Sequence, residues 1–414
     1  MRTACQMLLV VSLALTNPVW AQTRADSASG TTTTLKVDVR LVPVRAVVRD
    51  AHGNAVGNLT KEDFQIFDNG KPQVISQFSA ERYDSGRAEA AGGANPEKVE
   101  RNRHAGRYTV YVFDDLHLNH IDLVAAREAA DKHLARLSAD TDRAAIFTTS
   151  GQRGIDFTAD HAKLRDVLVH LEPRGRVRAT DCPAMTYFMA DLIVDKGDED
   201  ALNTATTDAL QCAYDGNKKF LKAARQMAQT AAREETGIGR IETQSSLRIL
   251  KDLVQGLAKA PGERTIVVVS PGFFIAEDPA QVDVIDSAVR ENITINALDP
   301  RGLVPATDIT QRSTPSADKF LYKSLSDTQE SAVLAELADA TGGVFFHNNN
   351  DVDEGFRRTS VTAEYSYVLA FSPQDVKFDG RLHKLKVSLT NQSHLTVQAR
   401  KGYYAPKPGR ANSK

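Results

Sequence analysis

Two adjacent carboxylates and an imidazole come directly after an apolar segment in the first third of the chain. Asp114 and Asp115 follow residues 107–113, and His117 lies two positions further on. Such side chains could bind a metal ion or exchange protons with a substrate. They could also be structural, since carboxylates at the start of a helix stabilise its positive end and a lone histidine is often an ordinary loop residue. The sequence leaves both interpretations open.

Hydroxyl side chains follow two other apolar segments. Thr149 and Ser150 end one of them, and Ser270 ends the other. Ser270 is placed where some hydrolases carry a nucleophile, but Ser270-Pro-Gly272 is not the Gly-x-Ser-x-Gly pattern, and no histidine can be assigned as its partner. We therefore interpret these hydroxyls as turn residues or contact residues and do not predict catalysis by Ser270.

Sequence motifs for known chemistries are absent. The chain has no His-Glu-x-x-His, no paired Cys-x-x-Cys and no P-loop, and Gly237-Ile-Gly239 does not follow a strand pattern. The formal net charge is -2, with lysines and arginines scattered along the chain, which disfavours a nucleic-acid partner. The sequence predicts no cofactor and no enzymatic activity.

The candidate residues are positioned by alternating strands and helices. Residues 107–113 and 264–270 are continuous apolar runs, typical of strands covered on both faces. The segments between such runs carry apolar residues at helical spacing. This alternation predicts an α/β domain with a doubly wound, mostly parallel sheet of about six strands. Ligands of such sheets bind beyond the carboxyl ends of the strands, so we expect the acidic and hydroxyl residues to share one crevice.

The rest of the chain divides into further regions. The predicted regions are an N-terminal β module (35–82), a linker (83–106), the α/β domain (107–347) with a helical insertion (173–240), and a C-terminal β segment (361–406). Asn69-Gly70 predicts a hairpin turn in the N-terminal module. Neither β region has enough strands to cover its own apolar face, so we predict that the two build one β-sandwich.

The N-terminus predicts export. Residues 1–21 resemble a secretory signal peptide, and residues 22–34 predict a flexible leader. No later segment is long and apolar enough to predict a membrane span. Cys182 and Cys212 are the cysteines left after cleavage, and in a periplasmic or extracellular compartment such a pair predicts a disulfide rather than a zinc half-site or a redox motif.

Several stretches together resemble the VWFA-related Acidobacterial domain proteins, which contain a von Willebrand factor A-type domain. The resemblance covers residues 35 to 406 and implies an A-type fold. The matching stretches are Asp63-Phe-Gln-Ile-Phe-Asp-Asn-Gly70, Val112-Phe-Asp-Asp-Leu116, Ala145-Ile-Phe-Thr-Thr-Ser-Gly151, Cys182-Pro with Cys212, and Arg400-Lys-Gly-Tyr-Tyr-Ala-Pro406.

The resemblance also implies a degenerate metal site. A-type domains hold Mg²⁺ through Asp-x-Ser-x-Ser, a threonine from another loop and a later aspartate. Here Asp114 is the only matching carboxylate, Leu116 and Leu118 replace the two serines, and the later aspartate position falls at Ser270 or Gly272. No loop threonine is assigned. Mg²⁺ needs near-octahedral oxygen ligation, so we predict no metal site, with Asp114 as the weak candidate. Asp115, its neighbour along the strand, should point to the other face, and exposed Leu116 and Leu118 would make the crevice apolar.

We therefore expect an exported binding or adhesion-type module that contacts a protein or a cell-surface polymer without catalysis. One alternative is a metal-dependent hydrolase that uses Asp114, Asp115 and His117. Another is a structural component of an envelope assembly. The expected contact residues are Asp114, Asp115, Leu116, His117, Thr149, Ser150 and Ser270.

Overall fold

The structure is a computed structural model that describes residues 41–51, 55–82, 106–175, 182–276, 279–303, 315–360, 365–373, 381–390 and 394–405. The signal peptide, the leader, the start of the N-terminal β module and all of the linker except Gly106 lie outside these residues, so those predictions stay predictions. Within the described ranges, no helix combines the length and apolar character that crossing a membrane requires.

The secondary structure has the following bounds. The strands are β1 (Val42–Arg49), β2 (Phe64–Asp68), β3 (Lys71–Gln73), β4 (Ile75–Arg82), β5 (Arg107–Phe113), β6 (Asp142–Thr148), β7 (Gly154–Thr158), β8 (Glu263–Val269), β9 (Thr294–Leu298), β10 (Phe345–Phe346), β11 (Tyr365–Phe371), β12 (Leu382–Leu389), β13 (Thr396–Ala399) and β14 (Gly402–Tyr404). The helices are α1 (His120–Leu134), α2 (His161–Val169), α3 (Tyr187–Val194), α4 (Glu199–Tyr214), α5 (Leu221–Leu257), α6 (Ala280–Arg290), α7 (Pro315–Thr341) and α8 (Val352–Ser360).

The central sheet has six strands in the order β10-β9-β8-β5-β6-β7. Its strand pairs are parallel except β6 and β7, which are antiparallel. Strand β5 lies between β6 and β8, so the first strand of the sheet in sequence is also central. The chain thus builds outward from β5 in both directions, which is the doubly wound arrangement. The prediction of a mixed α/β domain with a mostly parallel sheet is confirmed.

The apolar run of β5 is continuous because the strand is covered on both faces. Val110 and Val112 pack against α5, α6 and α7 in one core. Tyr111 and Phe113 pack against α1, α2 and α8 in a second core. Neighbouring residues of a strand point to opposite faces, so a strand between two helical layers needs apolar residues at every position.

The helical insertion does not end at residue 240. Helix α5 has 37 residues and runs without a break from the insertion into the layer that covers the sheet. Its first half is buried mainly through small residues, among them Ala224, Ala228 and Ala232, whereas its second half is buried through larger residues such as Leu247, Leu250 and Val254. Small residues give little of the apolar periodicity by which a helix is predicted. Gly239 also belongs to this buried face, and a Cβ atom there would lie 2.2 Å from the ring of Tyr187.

The two cysteines form the predicted disulfide within this insertion. Cys182 precedes α3, and Cys212 lies in the last turn of α4, with Cα atoms 5.9 Å apart and a sequence separation of 30. The bond therefore attaches the start of the insertion to the far end of α4.

The α/β domain extends beyond residue 347, where the sequence analysis ended it. Helix α8 follows β10, and its Phe356 is fully buried with ring centroids 6.2 Å from Tyr111 and 6.4 Å from Phe113. The helix is short and polar apart from Val352 and Phe356, so it carries too few apolar residues for a recognisable helical stripe.

Strands from both ends of the chain build two four-stranded sheets, β13-β1-β11-β4 and β14-β12-β2-β3. Strand β1 lies between β11 and β13, and β2 pairs with β12, all antiparallel. The two sheets share one core, in which the rings of Phe64 and Tyr367 lie 5.0 Å apart. Asn69 and Gly70 join β2 to β3 with φ angles of 48° and 81°, as a type I′ hairpin turn requires.

Candidate functional site

The predicted crevice brings Asp114, Thr149 and Ser270 together at the carboxyl ends of β5, β6 and β8. Thr149 Oγ1 donates a hydrogen bond to Asp114 Oδ1 at 2.7 Å, and Ser270 Oγ donates one to Asp114 Oδ2 at 2.5 Å. Parallel strands end at the same edge of a sheet, which is why residues so distant in sequence meet here. All three side chains are buried, with exposed fractions of 0–1%.

His117 lies against the same carboxylate. The chain turns directly after β5, with the backbone N–H groups of His117 and Leu118 donating to the carbonyl oxygen of Asp114. This turn places His117 Nδ1 2.9 Å from each carboxylate oxygen of Asp114. The imidazole also stacks on Phe273 at 5.5 Å and keeps 18% of its side chain exposed. His117 is thus part of an ion pair and not a lone loop histidine.

The ionisation of the pair follows from opposing effects. Burial alone would raise the pKa of Asp114, but the charge of His117 and the hydrogen bonds from His117, Ser270 and Thr149 outweigh it and hold the pKa below its usual value. Burial alone would lower the pKa of His117, but Asp114 outweighs it, with further contributions from Glu242 and Glu330, and the pKa is raised. Both shifts favour the ionised form of each partner, a carboxylate beside an imidazolium.

The alternation of side chains along a strand had predicted that Asp115 points to the opposite face from Asp114. This prediction is wrong, because Asp115 points into the same crevice. Ser150 donates to it through its backbone N–H at 2.9 Å and through its hydroxyl at 2.6 Å, and Thr149 Oγ1 lies 3.2 Å from Asp115 Oδ1. The reason is that β5 ends at Phe113, so residues beyond it no longer alternate. Burial raises the pKa of Asp115, assisted by Asp114, against the lowering effect of the Ser150 hydrogen bonds.

Neither leucine makes the crevice apolar in the way predicted. Leu118 is 3% exposed and belongs to the core beneath α1, and Leu116 is half-buried. Asn119 caps α1, since its side chain accepts a hydrogen bond from the backbone N–H of Asp122 at 2.9 Å. Asn119, and not Asp114 or Asp115, therefore caps this helix.

The insertion covers the crevice. Ser245 of α5 donates a hydrogen bond to the carbonyl oxygen of Thr149 at 3.1 Å. The backbone N–H of Arg174 donates a hydrogen bond to the carbonyl oxygen of Asp115 at 2.5 Å. At Gly175 a Cβ atom would lie 2.4 Å from the carbonyl oxygen of Leu116, so the segment leading into the insertion lies directly against the turn. Asp114, Asp115, Thr149 and Ser270 are consequently closed off, and a partner cannot contact them in this conformation.

A second ion-pair cluster, which the sequence analysis missed, lies at the end of β9. The Arg301 guanidinium donates to Asp299 at 2.8–3.1 Å, to Asp327 of α7 at 3.0 Å and to the carbonyl oxygen of Pro271 at 2.9 Å. Burial would lower the pKa of Arg301, but Asp299 and Asp327 outweigh it and raise the pKa. The signal available in the sequence was Asp299-Pro-Arg301 directly after an apolar strand.

The divalent cation implied by the resemblance does not fit these residues. Both oxygens of Asp114 already accept hydrogen bonds from Thr149 and Ser270, and the His117 ring lies 2.9 Å from each of them. Among the described residues, no group of three or more His, Cys, Asp or Glu side chains is arranged to hold a metal ion. A cation would have to displace the His117 ring and reorient two buried hydroxyls.

The arrangement also differs from a hydrolytic triad. In a triad the histidine lies between the nucleophile and the acid, where it can take the proton of the nucleophile. Here Asp114 lies between Ser270 and His117, and the Ser270 hydroxyl donates to the carboxylate while accepting from the Gly272 backbone at 2.9 Å. His117 contacts the carboxylate and not the serine, so this geometry does not activate Ser270.

Fold and site together define a doubly wound α/β domain whose crevice contains a buried ion pair and is covered by the insertion. No family model matches the chain, and no curated protein matches it. Solved structures with some likeness include an aerotolerance-related membrane protein from Bacteroides fragilis (13% identity, 61% of this chain and 98% of that one, TM-score 0.31) and the conserved hypothetical protein BatB from Bacteroides thetaiotaomicron (12%, 62% and 97%, 0.29).

A third solved structure is the pilus adhesin SpaC from Lactobacillus rhamnosus GG in an open conformation (8% identity, 85% of this chain and 48% of that one, TM-score 0.27). All three TM-scores lie below 0.5. These likenesses are therefore too weak to define the fold, which follows from the order of the strands in this protein.

Proposed function

We propose that this protein is an exported, non-catalytic binding module of the VWFA-related Acidobacterial domain type. The observation that carries the proposal is the state of Asp114, whose two oxygens are occupied by His117, Thr149 and Ser270 at 2.5–2.9 Å. A carboxylate held in this way is suited to fixing three loops and not to binding a cation or attacking a substrate. Export is supported by the signal-like residues 1–21.

The contact surface in this proposal is the rim of the closed crevice and not its interior. Exposed side chains surround it, including Gln152 after β6 and the apolar Ile121, Ile241 and Leu303, which are 79%, 47% and 60% exposed. Loops at the carboxyl ends of strands, held by a rigid sheet, are where α/β proteins commonly bind partners. Apolar residues beside polar ones suit a protein or a cell-surface polymer.

Site-specific photocrosslinking in the cells that produce the protein tests this surface. A crosslinking amino acid is placed at Ile121, Gln152 or Leu303 on the rim. The matched controls are Asp140 and Lys259, which are equally accessible but precede β6 and β8 and so lie at the opposite edge of the sheet. The expected result is one shared partner from the three rim positions and none from the controls.

Three outcomes would contradict the proposal. Equal crosslinking at both edges, or none at the rim, would show that the rim is not the contact surface. Turnover of an ester or peptide library that is lost in His117→Ala would instead support the hydrolase. If the crosslinked partner is an assembled envelope complex, the result would support the alternative that this protein is a structural component of that complex.

A further inference from the structure

The end of the helical hairpin formed by α4 and α5 carries a cluster that the crevice does not use. The turn between the helices contains Asp215 and Gly216, both with positive φ, and leads into Lys218, Lys219, Phe220 and Leu221, all exposed. We call residues 214–222 the hairpin tip. Phe220 is 45% exposed and Leu221 is 53% exposed, although both are large apolar side chains that folding normally buries.

The hairpin tip is a fixed structure. Phe220 stacks on Tyr214 with ring centroids 4.9 Å apart and planes inclined by 13°. Beneath the two rings, Leu210 and Ala224 form a small core. The disulfide of Cys212 lies in the same last turn of α4. One face of the Phe220 ring is therefore held in place by Tyr214, and the other face is exposed to solvent.

Positive charge surrounds this apolar pair. Lys218, Lys219 and Lys222 are exposed, and Asp215 is the one acidic residue of the hairpin tip. Within the described part of the chain, the three lysines form no salt bridge, whereas the nearby Arg225 pairs with Glu199 at 2.6 Å. Their charge is therefore available to an external anion.

We propose that the hairpin tip docks the protein on the surface of a membrane that contains anionic lipids. Phe220 and Leu221 would enter the boundary between head groups and acyl chains, and the lysines would lie among the lipid phosphates. Lysine is depleted in protein–protein interfaces, which favour arginine. Exposed, long and flexible side chains such as lysine, placed around an apolar pair at the end of a hairpin, suit a laterally mobile anionic surface, where charges need no fixed positions.

Vesicle flotation tests this docking with the native protein purified from its producing cells. One set of vesicles is pure phosphatidylcholine, and the other contains about one third phosphatidylglycerol. The expected result is binding to the anionic vesicles alone, weakening steeply as ionic strength rises to about 0.15 M. Replacing Lys218, Lys219 and Lys222 together with Gln should weaken binding about fivefold per lysine, roughly a hundredfold in total.

Two matched controls distinguish binding by the hairpin tip from an effect of net charge and from nonspecific binding by exposed apolar residues. Replacing Lys61, Lys259 and Lys386 with Gln removes the same charge elsewhere and should change binding less than about twofold. Phe220→Ser with Leu221→Ser should weaken binding about tenfold or more, while Val74→Ser with Val169→Ser, which alters similarly exposed residues, should not. Unchanged melting of each variant shows that the hairpin is intact.

The proposal is overturned if neutral and anionic vesicles bind equally, if no vesicle binds even at low salt, or if the two lysine triples weaken binding alike. Binding of soluble polyglutamate in the absence of vesicle binding would show that the hairpin tip serves an acidic protein instead. This test is independent of the crosslinking at the crevice rim, because the two surfaces have no residue in common.

Discussion

The Nδ1 atom of His117 lies 2.9 Å from both carboxylate oxygens of Asp114. This relationship places a positive charge of the protein itself where a divalent cation would have to bind. Three loops meet at the carboxylate, because Thr149 and Ser270 donate to it from the ends of β6 and β8. The pair therefore organises the carboxyl edge of the sheet.

The first prediction is that the protein does not bind divalent cations at this site. Because both oxygens of Asp114 are already engaged, calorimetric titration with Mg²⁺, Ca²⁺ and Mn²⁺ should show no saturable binding tighter than about 100 µM. Asp114→Ala is the control and should give the same heats as the wild type. Saturable binding that vanishes in this variant would show that the ion pair yields to a metal.

The second prediction concerns the contribution of the pair to the free energy of unfolding. Removing one partner of a buried ion pair leaves an uncompensated charge, so His117→Gln should cost about 3–5 kcal/mol near pH 6. Urea unfolding measures this cost, and Lys163→Gln, on an exposed helix face, is the control that should cost almost nothing.

The pH dependence of that cost has a definite sign. The folded-state pKa of His117 is raised, so its contribution is complete below its unfolded pKa of about 6.5 and is lost as the pH rises through the raised value. The pKa of Asp114 is lowered, so its contribution is complete above an unfolded pKa of about 3.9 and is lost as the pH falls through the lowered value. A difference between wild type and His117→Gln that grows between pH 7 and pH 9 would contradict this assignment.

The third prediction concerns the disulfide of the insertion. Chain-entropy reasoning for a separation of 30 residues gives a stabilisation of about 3–4 kcal/mol, which Cys182→Ser with Cys212→Ser should remove. Intact-mass analysis of native protein should detect no alkylation before reduction and two alkylated thiols after it. Two freely alkylated thiols without reductant would show that the bond does not form in the cell.

The fourth prediction tests the shared β-sandwich. The hydroxyl of Tyr367 accepts from the Leu59 backbone at 3.1 Å and donates to the carbonyl oxygen of Val56 at 2.6 Å. Tyr367→Phe would leave both groups without this partner, so unfolding should become easier by about 1–3 kcal/mol. Tyr108→Phe, a half-buried tyrosine in a T-shaped contact with Phe157, is the control and should have a much smaller effect.

The sequence was most informative where one physical rule acted alone. The unbroken apolar runs of β5 and β8, the Asn119 cap and the Asn69-Gly70 turn were predictable, because each depends on local pattern or backbone geometry. The contact between His117 and Asp114 was not predictable from the sequence, because the direction of a side chain after the end of a strand depends on how the chain turns there.

The remaining differences have similar causes. The continuity of α5 was hidden because alanines and Gly239 bury its first half, and small residues give little hydrophobic signal. Helix α8 was missed because Phe356 is its one fully buried large residue. Arg301 was missed because one of its two carboxylate partners, Asp327, comes from α7, which a motif at the end of a strand cannot indicate.

The β-sandwich also sets an order of folding. Leu59 and Tyr367, which hydrogen-bond to each other, are 308 residues apart in sequence. At usual rates of synthesis, β1, β2 and β4 would wait roughly 15–60 s for β11 and β12, and in that time only the β2–β3 hairpin has its partner. A chain that stopped early would keep these strand edges open to proteases and chaperones. The sandwich can therefore form only after β11, β12 and β13 have been synthesised, so that a chain truncated before them would be recognised by its own unpaired strand edges.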